Sequence, residues 1–408
     1  MPDPASSQRW LSIVGIGEDG AQGLSPIARD LVAGADIVFG GARHLALAAS
    51  LIRGEARPWP SPFAKAVGAV LAARGHRVCV LASGDPFFYG VGSVLAGHIP
   101  PEETLVVPAP SSFSLAAARM GWPLPETVLV SLHGKALDRI RPHLHPGARI
   151  LALTSDADGP AALAQLLTES GFAQSTLTAL EALGGPNERI RSAVAASFDL
   201  ADIAALNIVA IEVAAAPGAR IIATTPGLAD DLFEHDGQIT KREIRAMTLS
   251  ALAPLRGELL WDVGAGSGSV GIEWMLADPS LRAIAIEADT GRAARIRRNA
   301  AAFGVPELEV IQGQAPDSLA GLEPPDAIFV GGGGSAPGVL DACITALKPG
   351  GRLVVNAVTL ETEADLMARH GSLGGELIRM AVLRADRVGS KTGWRPAMPV
   401  TQWIWRKT

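Results

Sequence analysis

An apolar run, Glu258-Leu-Leu-Trp-Asp262, passes directly into Val-Gly264-Ala-Gly266-Ser-Gly268-Ser-Val-Gly271, and this junction restricts the fold of the chain more than any other stretch. A strand ends there, the glycines let the backbone turn and approach a ligand, and a helix begins with its free N–H groups aimed at whatever is bound. Dinucleotide-binding proteins use a similar turn, so the loop alone leaves the ligand open. Glu287, 25 residues beyond Asp262, ends the next apolar run. A carboxylate there can accept hydrogen bonds from both hydroxyls of a ribose.

The surrounding pattern is that of a doubly wound α/β domain. It predicts a helix over 241–252, strands over 258–262, 283–287, 308–311, 326–330 and 352–356, and helices ending near 303 and 347. The N-terminal half differs. Strands over 10–14, 36–39 and 77–81 alternate with helical stretches and run into Gly15-Ile-Gly17, Gly40-Gly41 and Ser83-Gly84-Asp85-Pro86, which points to a mostly parallel sheet. From about 123 the pattern restarts, with strands over 127–131, 149–154, 175–180 and 207–213, as a second α/β lobe. Ala214-Ala-Ala-Pro-Gly-Ala219 lacks periodicity and carries Pro-Gly. The expected organisation is therefore a two-lobed domain over 8–213 (lobes about 8–122 and 123–213), a linker over 214–220, and a second domain over 221–408.

Composition sets the outer limits. A chain of 408 residues with 48% hydrophobic and 19% charged residues is globular and long enough for two or three cores. A net charge of −6 and a single Tyr do not suit a nucleic-acid surface. No apolar run reaches the roughly 18 residues a membrane span needs, and MPDPASSQRW does not resemble a signal peptide, so the cytoplasm is the expected location. Cys79 and Cys343 fall in apolar runs and are expected to be small core residues.

Two resemblances sharpen this. Gly264–Gly268, Glu287, Gly313-Gln-Ala315-Pro and Leu347-Lys-Pro-Gly-Gly-Arg-Leu-Val-Val355 follow the order of class I S-adenosylmethionine (SAM) methyltransferases. Val14-Gly15-Ile-Gly17, Ser83-Gly84-Asp85-Pro86 and Pro108-Ala-Pro-Ser111-Ser112 resemble the tetrapyrrole methylases of cobalamin and sirohaem synthesis, although Glu18-Asp19-Gly20 stands where that family usually carries Gly-Pro-Gly. The combination resembles the family of precorrin-6B C5,15-methyltransferases (decarboxylating). Supporting phrases are Ser131-Leu-His133-Gly134-Lys135, the run from Asp231 to Arg245, and Asn356-Ala-Val-Thr-Leu-Glu361.

The resemblance implies a tetrapyrrole methylase fold joined to a Rossmann-like class I domain, with one SAM site in each. It puts SAM against Gly15, Gly17, Gly84, Asp85, Ser111 and Ser112 in the first half. In the second half it puts SAM against Thr240, Gly264, Ala265, Gly266, Ser267, Gly268, Glu287 and Ala315. The implied substrate is a precorrin that gains methyl groups at C5 and C15 and loses CO2 from the C12 acetate. A homo-oligomer is expected, with no nucleic-acid or membrane partner.

The substrate's many carboxylates need local cations, and Arg245 and Arg395 are the expected clamps because a guanidinium matches carboxylate geometry. His133 is the candidate to take a proton at C5. His143-x-His145 and Glu234-His235-Asp236 lack the companions of a metal cluster, so no metal is expected. The rival functions are a nicotinamide-dependent oxidoreductase using the Gly264–Gly268 turn, a SAM-dependent methyltransferase of another substrate, and a SAM-binding protein without turnover.

Overall fold

A computed structural model of the chain describes residues 9–408. Residue 8, where the first domain is expected to start, lies outside the described residues. Two compact units are present, one of residues 9–135 with His145–Ala219, the other of Ala136–Leu144 with Arg220–Thr408.

The first lobe of the first unit is a five-stranded sheet of β1 (Leu11–Ile16), β2 (Ile37–Gly40), β3 (Glu55–Pro58), β4 (Val78–Ser83) and β5 (Thr104–Val107), ordered β3-β2-β4-β1-β5. All its pairings are parallel. The central strands are apolar on both faces because both are covered. Val14, Val38, Cys79 and Leu81 pack with Ala28 and Val32 on one side, while Ile13, Phe39 and Val80 pack with Val70 and Leu95 on the other. The helix Pro26–Gly34 starts where Ser25 accepts the N–H of Ala28 and proline occupies its first turn. Because the strands run the same way, the loops after β1, β2, β4 and β5 emerge along one edge.

The second lobe holds β6 (Val128–Ser131), β7 (Arg149–Leu153), β8 (Thr176–Glu181), β9 (Arg189–Val194) and β10 (Asn207–Glu212), ordered β6-β7-β10-β8-β9. This sheet is mixed. Only β6–β7 is parallel, and the other three pairings are antiparallel. The link from β8 to β9 is too short for the crossover that a parallel pair requires.

The second unit has a seven-stranded sheet of β11 (Leu259–Val263), β12 (Arg282–Glu287), β13 (Glu309–Gln312), β14 (Ala327–Val330), β15 (Arg352–Ala357), β16 (Glu376–Met380) and β19 (Val400–Arg406). Between β16 and β19 lies a separate hairpin of β17 (Leu383–Val388) and β18 (Lys391–Pro396). The sheet order is β13-β12-β11-β14-β15-β19-β16, with β19 antiparallel to both neighbours. Strand order reverses between β11 and β14, the switch point where open α/β sheets hold ligands. One face packs Leu260, Ala285 and Phe329 with Trp274 and Phe303, the other Trp261, Ile286 and Val355 with Cys343 and Trp403. Cys79 and Cys343 are free and buried, and burial pushes both thiols up to about 12.

The segment Ala136–Leu144, expected in the second lobe, is part of the second unit instead. It packs against Gly304, where a Cβ would stand 2.4 Å from Pro142 Cδ, and Arg139 pairs with Glu307 at 2.7 Å. Within the expected linker, Ala214 N donates to Ser175 Oγ (3.0 Å) and Ala216 N to Gly171 O (2.9 Å), so this stretch is tied to the first unit. Arg220 opens the second unit, its guanidinium 4.4 Å from the Phe303 ring centre. No helix among the described residues is long and apolar enough to cross a membrane.

Candidate active sites

In the second unit a cavity of about 690 Å³ opens at the switch point. Its floor is the loop after β11. Gly264, Gly266 and Gly268 all have positive φ (70°, 61° and 76°), and a Cβ on Gly264 would stand 2.3 Å from Gly332 O, so the loops after β11 and β14 approach closely only because this residue is glycine. Glu287, at the end of β12, accepts the N–H of Gly266 through Oε2 (2.8 Å) and of Asp289 through Oε1 (3.0 Å). These bonds aim its carboxylate into the cavity, and each oxygen keeps a lone pair for a ribose hydroxyl. Asp262 lies beneath, Oδ2 accepting Gly271 N at 2.9 Å, and burial, reinforced by the Glu287 charge, pushes its carboxyl up to about 7.

Of the expected contacts, Thr240, Gly264, Ala265, Gly266, Glu287 and Ala315 line this cavity. Ser267 and Gly268 are not in its wall. Ser267 is buried, its carbonyl held by Asn299 (2.9 Å), and Gly268 caps the following helix, where a Cβ would meet Ile296 Cγ2 at 2.7 Å. The glycine loop beside the Glu287 carboxylate suits a polar ligand with a ribose, such as SAM.

Neither expected clamp lies in the wall of this cavity, and Arg245 needs correction. Arg245 is fully buried, donating to Glu273 (2.6 Å), Asp230 (3.1 Å) and the carbonyls of Thr240 and Leu228, and is 4.8 Å from the Phe233 ring centre. Its donors are spent inside the protein. What it does is hold the segment that presents Thr240. Arg395 lies outside the cavity wall on β18, mostly exposed and paired with Asp386 at 2.8 Å. The cations in the wall are Lys241, Arg292 and Arg384. Arg292 is paired with Asp236 (2.9 Å) and Arg384 with Glu243 (2.5 Å).

The first unit has its own cleft, about 530 Å³, where the carboxyl edge of the parallel sheet meets residues of the second lobe. Gly17, Gly84, Ser111, Ser112 and His133 line it, whereas Gly15 and Asp85 do not. A Cβ on Gly15 would stand 1.9 Å from Gly84 O, so Gly15 lets these two loops touch. Asp85 Oδ1 accepts the N–H of Phe87 (2.8 Å) and shapes the turn. Ser111 caps the helix Ser112–Met120, its Oγ accepting Ser114 N at 3.1 Å. His133 Nδ1 sits 3.3 Å from Thr154 O. Trp59, Phe63, Phe88, Tyr89 and Phe113 add aromatic faces suited to a flat conjugated ring.

Among the polar residues of this cleft, sequence reasoning missed Arg43 and His44 and gave no site role to Glu18 and Ser83, although both fall in the motifs it quoted. Their signal is position: each stands at or just after the carboxyl end of β1, β2 or β4. Asn356 at the end of β15 also lines the second cavity, held by Thr248 and Gln402, where the sequence offered only a supporting phrase.

Comparison with known proteins follows this division. Residues 11–199 match the family described as tetrapyrrole (corrin/porphyrin) methylases, and 231–407 match that described as precorrin methyltransferase domain. A precorrin-6Y C(5,15)-methyltransferase (decarboxylating) of a Sinorhizobium species is 61% identical over 405 residues, 99% of this chain and 98% of that protein. The protein of the same name from Mycobacterium tuberculosis is 42% identical over 96% of this chain and 98% of its own. A Salmonella typhimurium cobalt-precorrin-6B C(15)-methyltransferase (decarboxylating) is 32% identical over 179 residues, 42% of this chain and 92% of that protein.

Proposed function

The chain belongs to the precorrin-6Y C5,15-methyltransferase (decarboxylating) family, and on that premise we propose that it binds SAM once in each unit, methylating C5 of a precorrin in the first and C15 in the second. It is a SAM-dependent methyltransferase of cobalamin biosynthesis, and the C12 acetate leaves as CO2 in the same overall reaction. One observation carries the division: a single chain holds two clefts of different construction, each at the carboxyl edge of its own parallel strands. The Salmonella relative, named for C15 methylation and decarboxylation without C5, matches a stretch about as long as one unit, which supports housing those two events together in a single unit.

When bound, SAM supplies an electrophilic methyl group. The meso carbons of the ring are electron-rich and attack without a strong base, so the residues contribute alignment and exclusion of water, worth on the order of 7 kcal/mol or more. In the second unit Glu287 and the loop around Gly266 orient the ribose. Lys241 and Arg384 replace Arg245 and Arg395 as our candidate holders of substrate carboxylates. Ile244, Val358, Val382, Met398 and Val400 form an apolar wall. A carboxylate placed against that wall is poorly solvated, which favours its loss once methylation at C15 has created an electron sink beside it. We place the enzyme in the cytoplasm and expect it to self-associate through the exposed hairpin, where Trp394 is 73% and Val388 65% accessible.

Mass spectrometry with labelled SAM and a precorrin tests the assignment. Ser112→Trp, filling the first cleft, yields a product with one new methyl, CO2 lost and C5 unsubstituted. A single SAM site by calorimetry, or loss of both methylations in this variant, refutes it.

A further inference from the structure

The first cleft contains a polar cluster that no cofactor contact explains. Ser83 ends β4, Arg43 and His44 lie in the first turn of the helix Ala42–Leu47 that follows β2, and Glu18 follows β1, so the ends of three neighbouring strands bring them together. Ser83 Oγ lies 2.8 Å from His44 Nε2 and 2.9 Å from Arg43 Nη2, and Arg43 Nη2 is 3.0 Å from His44 Nε2. Glu18 completes the cluster by pairing with Arg43.

The protonation pattern follows from these contacts. A guanidinium only donates, so the Nε2 it faces is the unprotonated nitrogen. The ring proton then belongs on Nδ1, which is buried with no partner among the described residues. Burial, and then the Arg43 charge, push His44 down to about 4, so the imidazole is neutral at neutral pH. The charged groups facing it are Arg43 and, through Arg43, Glu18. Ser83 is exposed and lines the cleft, so its hydroxyl stands between His44 and the cleft's open space.

We propose that Ser83 and His44 carry away the proton that leaves C5 when that carbon is methylated in the first unit. The proposal rests on the C5 assignment above. Forming the new C–C bond uses a π pair of the ring and leaves C5 tetrahedral, still bearing its hydrogen. The C–H pair then returns to the ring, the proton passes to Ser83 Oγ, and the Ser83 hydroxyl proton passes to His44 Nε2. A weak base suffices because losing this proton restores conjugation. Glu18 offsets the Arg43 charge, so the cluster passes from neutral to a single positive charge. Arg43 beside the new imidazolium favours its prompt release of the proton to solvent. His133, from the second lobe, is the competing acceptor.

Full-length enzyme with His44→Gln, His44→Ala, Ser83→Ala and His133→Gln tests this, using labelled SAM and a precorrin deuterated at C5. His44→Gln retains a hydrogen bond to Ser83 without basicity. It should slow C5 methylation about 10²-fold, leave S-adenosylhomocysteine binding to the first unit intact, and unmask a deuterium isotope effect at C5. Added imidazole should restore C5 methylation to His44→Ala, an effect that a purely structural histidine would not give. C5 methylation at the wild-type rate in His44→Gln, loss confined to His133→Gln, or loss together with cofactor binding and no imidazole rescue would overturn the proposal. Unmodified enzyme that adds no C5 methyl at all would instead bring down the functional reading on which it rests.

Discussion

The guanidinium of Arg245 and the carboxylate of Glu273 meet at 2.6 Å with both side chains sealed from solvent. Glu273 also accepts the N–H groups of Gly227 (2.7 Å) and Leu228 (3.0 Å), while Arg245 holds the carbonyls of Leu228 and Thr240. The pair thus fastens the segment that carries Thr240 to the wall of the second unit's cavity. Arg245→Met leaves Glu273 buried without its counter-ion and should destabilise the second unit by about 3–5 kcal/mol. A substrate clamp would instead raise KM with the melting temperature unchanged, so denaturant unfolding beside steady-state kinetics separates the two roles.

Gly264 at φ +70°, with Gly332 O in the place of a Cβ, admits no side chain without moving the loop after β14. Gly264→Ala should therefore weaken S-adenosylhomocysteine binding to the second unit at least tenfold and leave the first unaffected. Calorimetry resolving both sites checks this, and two unchanged sites would count against the cavity as the cofactor site.

Two groups, the buried Asp262 and the half-buried His44, give the units opposite pH dependence. Asp262 is raised from 3.8 to about 7, so the folded state binds the extra proton and wild-type stability falls, relative to Asp262→Asn, as pH rises from about 4 to 7. His44 is lowered from 6.5 to about 4, so the unfolded state binds the extra proton and stability falls as pH drops through that window. Melting curves from pH 4 to 8 should show the difference between wild type and Asp262→Asn widening with pH, and that between wild type and His44→Gln narrowing with acid.

Decarboxylation should depend on C15 methylation, because the new imine drains electrons from the acetate. Gly266→Asp sets a carboxylate in the glycine loop after β11, where φ is +61° and Gln238 O already stands 3.3 Å from a Cβ. This variant should lose both events together. CO2 release without a C15 methyl, measured with labelled substrate, would require a separate decarboxylating residue.

The sequence by itself determined the strand-to-glycine-to-helix turn at 262–271, the acidic end of β12 and the parallel run of β11 through β15. These are short-range features, set by which residues tolerate a tight turn and by the spacing of apolar positions. The hairpin of β17 and β18 escaped detection because Leu-Arg-Ala-Asp-Arg-Val is exposed along its length and has no buried face to impose a period. Tertiary structure alone decided which charges are structural. Arg245 and Lys241 lie four residues apart, yet one is fully buried against Glu273 and the other lines the cavity. The same holds for His44 and Ser83, 39 residues apart in sequence and 2.8 Å apart in space. Charge burial and side-chain pairing depend on which strand ends become neighbours, a long-range outcome of sheet order.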